Sequence, residues 1–403
     1  MDKERIDTNS IKDNASLSLR YWYLVILALT GFVTSFGAHI VATNLPSYAQ
    51  MVGVGAFMIG LLIAVYDFAE LFAKPVAGFI ADRRGMKITL LAGIVIFILG
   101  SLLFLILDPK WLLLVRFVQG LGAAALSTVS ITLVAKYFAA GKRGTAFGIY
   151  NAIKGAGYVV APALGGFLAH GYGFSMIFIV SAVVGSVALI LSFFLPKDRS
   201  KAELDDDDDM TLKEFFLIFK EPSLLPIYAV IVINMFMVGI LFGFLPVYLY
   251  SIGYTPLQSG LVVSIGTASY LLVQPVAGYL ADKVSVRVTV LIGLFMASLA
   301  ITAATFVSGA ALLVVIVIAG IGVGTVWTNS DTLISSMADE RTLGASMGAA
   351  QSFKEFGDMI GPLLIGLLTQ FYGVRVGFVA CGLLALFLLT LLARSPSFKG
   401  HDD

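Results

Sequence analysis

Residues 200 positions apart along this chain repeat one another, and no other feature of the sequence constrains its fold as tightly. Leu45-Pro46 returns as Leu245-Pro246, with Tyr48 over Tyr248. Pro75-Val76-Ala77-Gly78 returns as Pro275-Val276-Ala277-Gly278, followed by Ala81-Asp82 over Ala281-Asp282. Gly120 and Gly122 match Gly320 and Gly322, while Gly157, Pro162 and Gly166 reappear as Gly357, Pro362 and Gly366. Lys154, in the middle of one strongly apolar stretch, has its counterpart in Lys354, in the middle of another. A chain whose halves superpose without a net insertion is a duplicated unit, and in a membrane such duplication builds two bundles flanking a central site.

Composition identifies the solvent. Hydrophobic residues make up 59% of the 403 and charged residues 13%, too few to cover a water-soluble chain of this length. Crossing a bilayer takes about 20 apolar residues. Twelve runs qualify, at roughly 22–44, 55–77, 88–107, 112–135, 145–169, 174–195, 225–250, 257–280, 286–307, 311–335, 343–369 and 374–393. Lys and Arg crowd the loops at 83–87, 136–143, 197–220, 283–287 and 341, whereas the opposite loops hold only Lys110 and Arg375. The bias predicts a multi-pass protein of the cell inner or plasma membrane with both termini cytoplasmic. No cleavable signal sequence is evident in the polar stretch 1–20, which reads as a cytoplasmic tail.

The expected organisation is an N-terminal six-helix bundle over 21–195, an acidic cytoplasmic linker over 196–221, a C-terminal six-helix bundle over 222–395 and a short cytoplasmic tail over 396–403. Within the linker Asp205 to Asp209 form an unbroken acidic run. It reads either as a self-repelling, solvated tether between the halves or as a cation-binding cluster.

Three motifs carry a family resemblance over about residues 20–395. Between the second and third runs, Gly78-Phe79-Ile80-Ala81-Asp82-Arg83-Arg84-Gly85-Met86-Lys87 is similar to the first cytoplasmic loop motif of the major facilitator superfamily, with Met86 in place of a usual basic residue. Its repeat copy keeps Asp282 and Lys283 but has Ser285 where Gly85 stands. Arg116-Phe117-Val118-Gln119-Gly120-Leu121-Gly122 resembles the fourth-helix motif of the drug- and metabolite-efflux proton antiporter branch. Gly157 to Gly166, around Pro162, resembles that branch's fifth-helix motif, with Ala161 where glycine is usual. The resemblance implies an all-α integral membrane protein with twelve transmembrane helices in two repeat-related six-helix bundles, the major facilitator fold. It also implies a conformational hinge at Gly78, Asp82, Arg83, Gly85 and Lys87, with Gly157 and Pro162 on the fifth helix. In the loop, Gly78 would let helices approach closely and the basic residues would bind a facing carboxylate. For Arg116 the resemblance implies a part in proton coupling; an arginine near the outer helix end can instead snorkel to the headgroups.

Charges embedded in apolar runs mark the mechanism. Asp67, Glu70 and Lys74 fall at i, i+3 and i+7, on one helical face. Two carboxylates one turn apart in a low dielectric cannot both ionise cheaply, so the group is suited to carry a proton; it can equally be a static ion-paired cluster. Asn151, Lys154 and Tyr158 share a face of the fifth run, and Gln351, Lys354 and Asp358 share the repeat-related face, with Glu355 one step round. Lys354 is placed to pair with Asp358 at i+4, which leaves Lys154 the freer ammonium. The two lysines read either as opposite walls of a central cavity or as ties inside each bundle. His39 with Asn44, and Trp327 with Asn329 and Asp331, are lesser candidates.

These readings give Asp67, Glu70, Arg116, Glu355 and Asp358 to proton coupling, and Lys154, Asn151, Tyr158, Lys354, Gln351, Trp327 and His39 to substrate binding. The function expected is proton-coupled secondary active transport, exporting a small amphiphilic, anionic or zwitterionic organic solute, a drug or a metabolite, by alternating access. An importer that carries protons with an organic anion or sugar is the alternative. No enzyme is expected. No phosphate-cradling loop precedes a Lys-Ser or Lys-Thr pair, and three histidines with the lone Cys381 offer no zinc or haem site. The expected partners are the solute, protons and the lipid bilayer, with no cofactor, metal or nucleic acid, in a monomer. An inert membrane scaffold would not carry such costly buried charges.

Overall fold

With no water in the hydrocarbon layer to satisfy peptide groups, each long apolar run must bond its own backbone, and helices result. The computed structural model of the protein describes residues 8–138, 140–196, 221–337 and 343–394. The first half holds α1 (Thr8–Met51), α2 (Ala56–Arg84), α3 (Met86–Ile106), α4 (Leu112–Tyr137), α5 (Ala140–Tyr172) and α6 (Ser175–Ser192). The second holds α7 (Leu225–Ser251), α8 (Pro256–Lys283), α9 (Val286–Ala304), α10 (Gly309–Met337), α11 (Leu343–Tyr372) and α12 (Val374–Arg394). Eleven of these are long and apolar enough to cross a membrane; the other is α11, which carries Lys354, Glu355 and Asp358. Several helices outrun the apolar stretches, α1 beginning at Thr8 and α2 ending at Arg84, because backbone hydrogen bonding does not stop where the hydrocarbon does. The acidic run Asp205–Asp209 lies outside the described residues.

The two halves repeat each other's packing. In the first, α1 lies on α5, α2 on α4, and α3 on α4 and α6; in the second, α7 lies on α11, α8 on α10, and α9 on α10 and α12. The halves meet along α2–α11 and α5–α8. The side of the protein bearing Arg83, Arg84, Lys136 and Lys283 is called the basic side, and the opposite one the far side.

Toward the far side both inter-half seams are closed by the same trio of residues, 200 positions apart. On one seam a Cβ added to Gly260 of α8 would fall on the Pro162 carbonyl of α5 and lie 3.2 Å from the Gly166 Cα. On the other, a Cβ on Gly60 of α2 would fall on the Pro362 carbonyl of α11 and lie 3.4 Å from the Gly366 Cα. Only glycine lets backbones come this near, so each seam is a backbone-to-backbone crossing. One seam has a further tie. The Ser264 hydroxyl of α8 accepts from the Ala163 N–H at 2.9 Å and donates to the Val159 carbonyl at 2.6 Å, entering the α5 ladder beside Pro162. The repeat position on α2 is Ala64, which offers no such hydroxyl.

α7 is α-helical to Gly239, widens to a π turn over Ile240–Phe244, and resumes as α-helix at Leu245. Pro246 supplies the cause, because its ring crowds the carbonyl four residues back, that of Phe242.

The loop between α2 and α3 departs from expectation. Gly85 turns the chain with φ of 99°, open to glycine alone, and its N–H donates to the Ala81 carbonyl at 2.9 Å. In the repeat copy Ser285 has an extended backbone and its side chain caps α9 through the Val288 N–H. Gly78 is not a close crossing, since a Cβ there would stand 4.0 Å from its nearest neighbour on Thr128; the crossing on α2 is at Gly60. Lys87 donates to the carbonyls of Phe193 and Leu195 at the end of α6, where helix carbonyls lack partners and carry partial negative charge, and Arg83 lies 4.3 Å over the Phe79 ring. The Asp82 side chain lies outside the described residues. Gly157 is a close crossing, its added Cβ reaching 2.8 Å from the Phe36 nitrogen of α1.

Overpacking a seam costs about 1–3 kcal/mol. Gly260→Val is therefore expected to disfavour closure toward the far side, raising far-side labelling of an Ala42→Cys reporter by an impermeant maleimide in a Cys381→Ser background. Gly78→Ala, where a methyl has room, is expected to leave labelling unchanged. Equal labelling of the two variants would contradict the assignment of the seam.

Candidate functional site

Between the halves, at the middle of the helices, lies a cavity of about 260 Å³. From the first half α1 contributes Ser35 and His39, α2 contributes Asp67, Glu70 and Lys74, and α4 contributes Arg116. Lys154 and Tyr158 of α5 complete that wall. Opposite stand Phe242 of α7, Trp327 of α10 and, from α11, Gln351, Lys354, Glu355 and Asp358. The glycine crossings shut the cavity toward the far side. Toward the basic side Gln351, which lines the chamber, is itself exposed, so the chamber reaches the surface there. Asn151 shares the helix face of Lys154 but is not among the residues lining the chamber.

Lys74 joins the halves. Its Nζ lies 2.7 Å from Glu70 Oε2, one turn back on α2, and 2.6 Å from Glu355 Oε1 across the interface on α11. Glu355 Oε1 also accepts from Gln351 Nε2 at 2.8 Å. The i, i+4 arm of this cluster is visible in the sequence; the arm to Glu355 is not, because nothing in a helical period states which helix faces α2.

Lys354 does not pair with Asp358. Its Nζ sits 2.7 Å from both carboxylate oxygens of Asp331 and 4.5 Å above the Trp327 ring. Trp327 and Asp331 stand one turn apart on α10 and together present a ring face and a two-oxygen acceptor. A single carboxylate on the lysine's own helix cannot match that pair. Trp327 is itself braced edge-on by Tyr270 at 5.7 Å.

Arg116 does not snorkel. It is 1% exposed, donates from Nε to the Leu62 carbonyl at 3.2 Å and from Nη1 to Gln119 Oε1 at 2.8 Å, and lies 4.4 Å over the Tyr66 ring. Gln119 donates onward to Ser101, which meets Ser181 at 3.1 Å. This chain of polar groups fixes the guanidinium beside the turn that carries Asp67, with no carboxylate in ion-pair contact among the described residues. His39 is packed edge-on between Tyr158 at 4.3 Å and Phe242 at 4.8 Å, its Nδ1 2.8 Å from the Ser35 carbonyl. Asn44 and Asn329 donate to helix carbonyls and are structural.

Three charged groups of the cavity remain without an ion pair or side-chain hydrogen bond among the described residues: Lys154 on α5, Asp67 on α2 and Asp358 on α11. Sequence reasoning did not find Phe242, whose place depends on the π turn. Nor did it give Asp331 its role, although the i, i+4 spacing of Trp327 and Asp331 was a usable signal.

A family model described as Major Facilitator Superfamily matches residues 27–270 and 227–402 of the chain. An MFS-type transporter of Methanocaldococcus jannaschii is 25% identical over 360 residues, covering 87% of this chain and 92% of its own. Multidrug resistance protein MdtG of Citrobacter koseri is 26% identical over 380 residues, covering 90% and 92%. The crystal structure of a nucleoside transporter, NupG, superposes with a TM-score of 0.79 at 14% identity, over 92% of this chain and 98% of that one, a likeness of fold.

Lys354→Ala strands the Asp331 carboxylate and is expected to destabilise the protein by about 1–3 kcal/mol, the range for losing a charged hydrogen-bonding partner. Thermal unfolding should show Lys354→Ala/Asp331→Asn recovering part of that loss and Lys354→Ala/Asp358→Asn recovering none. The reverse order would restore the i+4 pairing.

Proposed function

Because the chain belongs to the Major Facilitator Superfamily, we propose that it is a proton-coupled secondary transporter, exporting a small amphiphilic, anionic or zwitterionic organic solute, a drug or a metabolite, across the cell inner or plasma membrane. The observation that carries the reading is the pair of carboxylates, Asp67 and Asp358, that face one cavity from opposite halves with no ion pair to a cation among the described residues. A carboxylate in a chamber between membrane helices, with no cation in contact, is a natural proton carrier, and it changes protonation as the chamber opens first to one side and then to the other. Glu70 and Glu355 are committed to Lys74 and tune the site electrostatically, and Arg116 sets the field around Asp67.

In this reading the basic side is cytoplasmic, by the Lys and Arg bias of its loops. The open cavity then loads from the cytoplasm, and export follows when the halves rock. The relatives named multidrug resistance protein favour the same direction. Lys154, without an ion pair or side-chain hydrogen bond among the described residues, takes the anionic part of the solute, with Tyr158, Trp327, His39 and Gln351 lining the same chamber. The loop from Gly78 to Lys87, Asp82 included, and the fifth helix around Gly157 and Pro162 supply the hinge of a monomer.

Neutralising the proton carrier should abolish gradient-driven movement and spare exchange, because exchange needs only the loaded carrier to reorient. In proteoliposomes, with a solute selected by thermal-shift screening at two pH values, Asp67→Asn and Asp358→Asn are expected to lose uphill transport and retain exchange. Uphill transport surviving in both variants and in their double would remove the assignment.

A further inference from the structure

The charges of the cavity do not cancel. Lys74 stands against two carboxylates, so that trio carries one negative charge. Lys354 and Asp331 neutralise each other. Arg116 and Lys154 balance Asp67 and Asp358 in number but touch neither. One negative charge is left over, in a place where an unanswered charge is expensive. Whatever fills the chamber must bring a positive charge, either a proton or part of the solute. Lys154, meanwhile, has no ion pair among the described residues and presents an ammonium that a negative group answers best.

We propose that the cavity recognises a zwitterion, with the solute's anionic pole on Lys154 of α5 and its ammonium pole between Asp67 of α2 and Asp358 of α11. The assignment rests on the cavity being the transport site, as above, and narrows the solute from anion-or-zwitterion to one that carries both poles. Pairing of Lys354 with Asp331 is what decides it. With both lysines unpaired the chamber would present two ammonium groups to an anion; with Lys354 held by Asp331 it presents one, beside the two carboxylates of Asp67 and Asp358. A lone cation would satisfy the carboxylates and leave the Lys154 ammonium unanswered. Between the poles, Phe242, Tyr158 and the edge of His39 offer an apolar wall that suits a hydrocarbon or aromatic body. The ammonium pole occupies the position held by the proton in the empty carrier, and the anionic pole that enters with it is answered by Lys154.

The test uses matched trios on the purified full-length protein in nanodiscs, with affinities from titration calorimetry. The trios are phenylalanine, phenethylamine and hydrocinnamate; leucine, isoamylamine and isocaproate; and ε-aminocaproate, hexylamine and caproate. In at least one trio the zwitterion is expected to bind about tenfold or more tightly than both single-pole relatives, about 1.4 kcal/mol. Lys154→Met should abolish its advantage over the amine, Lys154→Arg should keep part of it, and Asp67→Asn/Asp358→Asn should abolish its advantage over the acid. An amine or an acid that equals the zwitterion in every trio, or no binding by any member, overturns the proposal. If the amine leads and its proton-driven uphill movement is still lost in Asp67→Asn or Asp358→Asn, the two-pole assignment falls and the transport reading stands. Uphill movement that persists in both variants brings down the transport reading separately.

Discussion

A charge carried to the middle of a bilayer has to be answered there, and the way this protein answers its buried cations organises the rest of the structure. Arg116 is satisfied entirely within the first half, by a carbonyl of α2, by Gln119 and by the Tyr66 ring. Lys354 is satisfied entirely within the second, by Asp331 and Trp327 of α10. Lys74 alone reaches across, to Glu355. Most of these ties lie within one bundle, so among the buried cations it is Lys74 that links the two. Breaking the Lys74–Glu355 contact strands neither partner, since Lys74 keeps Glu70 and Glu355 keeps the Gln351 amide. A bridge whose two ends each hold a second partner can open and close in hydrocarbon without exposing a bare charge.

The two seams between the halves are related by the repeat and yet are not equivalent. Both have a glycine of one helix seated on a proline carbonyl of the other, the tightest approach a backbone allows. Beyond that, α5 and α8 are joined by the Ser264 hydroxyl, which enters the backbone ladder of α5, whereas α2 and α11 are joined by the Lys74–Glu355 pair. One seam is held by hydrogen bonds to peptide groups and the other by ionised side chains. A change of charge in the cavity would bear directly on the second and only indirectly on the first. Duplication supplied the scaffold of two like seams, and divergence made one of them electrostatically addressable.

How much of the site could be read beforehand depended on the range of each interaction. The i, i+4 contact of Lys74 with Glu70 follows from helical period alone. So does the shared face of Gln351, Lys354 and Asp358, all of which line the cavity. The same reasoning failed for Lys354 and Asp358: spacing makes that pair possible, and a stronger acceptor on α10 outcompetes it. It failed again at Gly78, where a small residue in a loop motif suggested a crossing that the structure puts at Gly60. In both cases local geometry was permissive and the neighbouring helix made the choice.

The sequence by itself determined that the chain is a duplicated membrane bundle, which runs become helices, and which of them carry charge into the hydrocarbon. Those properties depend on hydrophobic length, on a 200-residue period and on the 3.6-residue turn, all of which are written along one dimension. Only the tertiary structure decided which charges meet. An ion pair is made or missed over an ångström, and the partners of Lys74 and Lys354 come from helices whose rotation and height are set by backbone crossings at Gly60, Gly260 and their prolines. The same crossings decided what was left unpaired. Lys154, Asp67 and Asp358 are ordinary buried charges in the sequence; in the structure they line one cavity and have no ion pair among the described residues, because Lys74, Lys354 and Arg116 are engaged elsewhere.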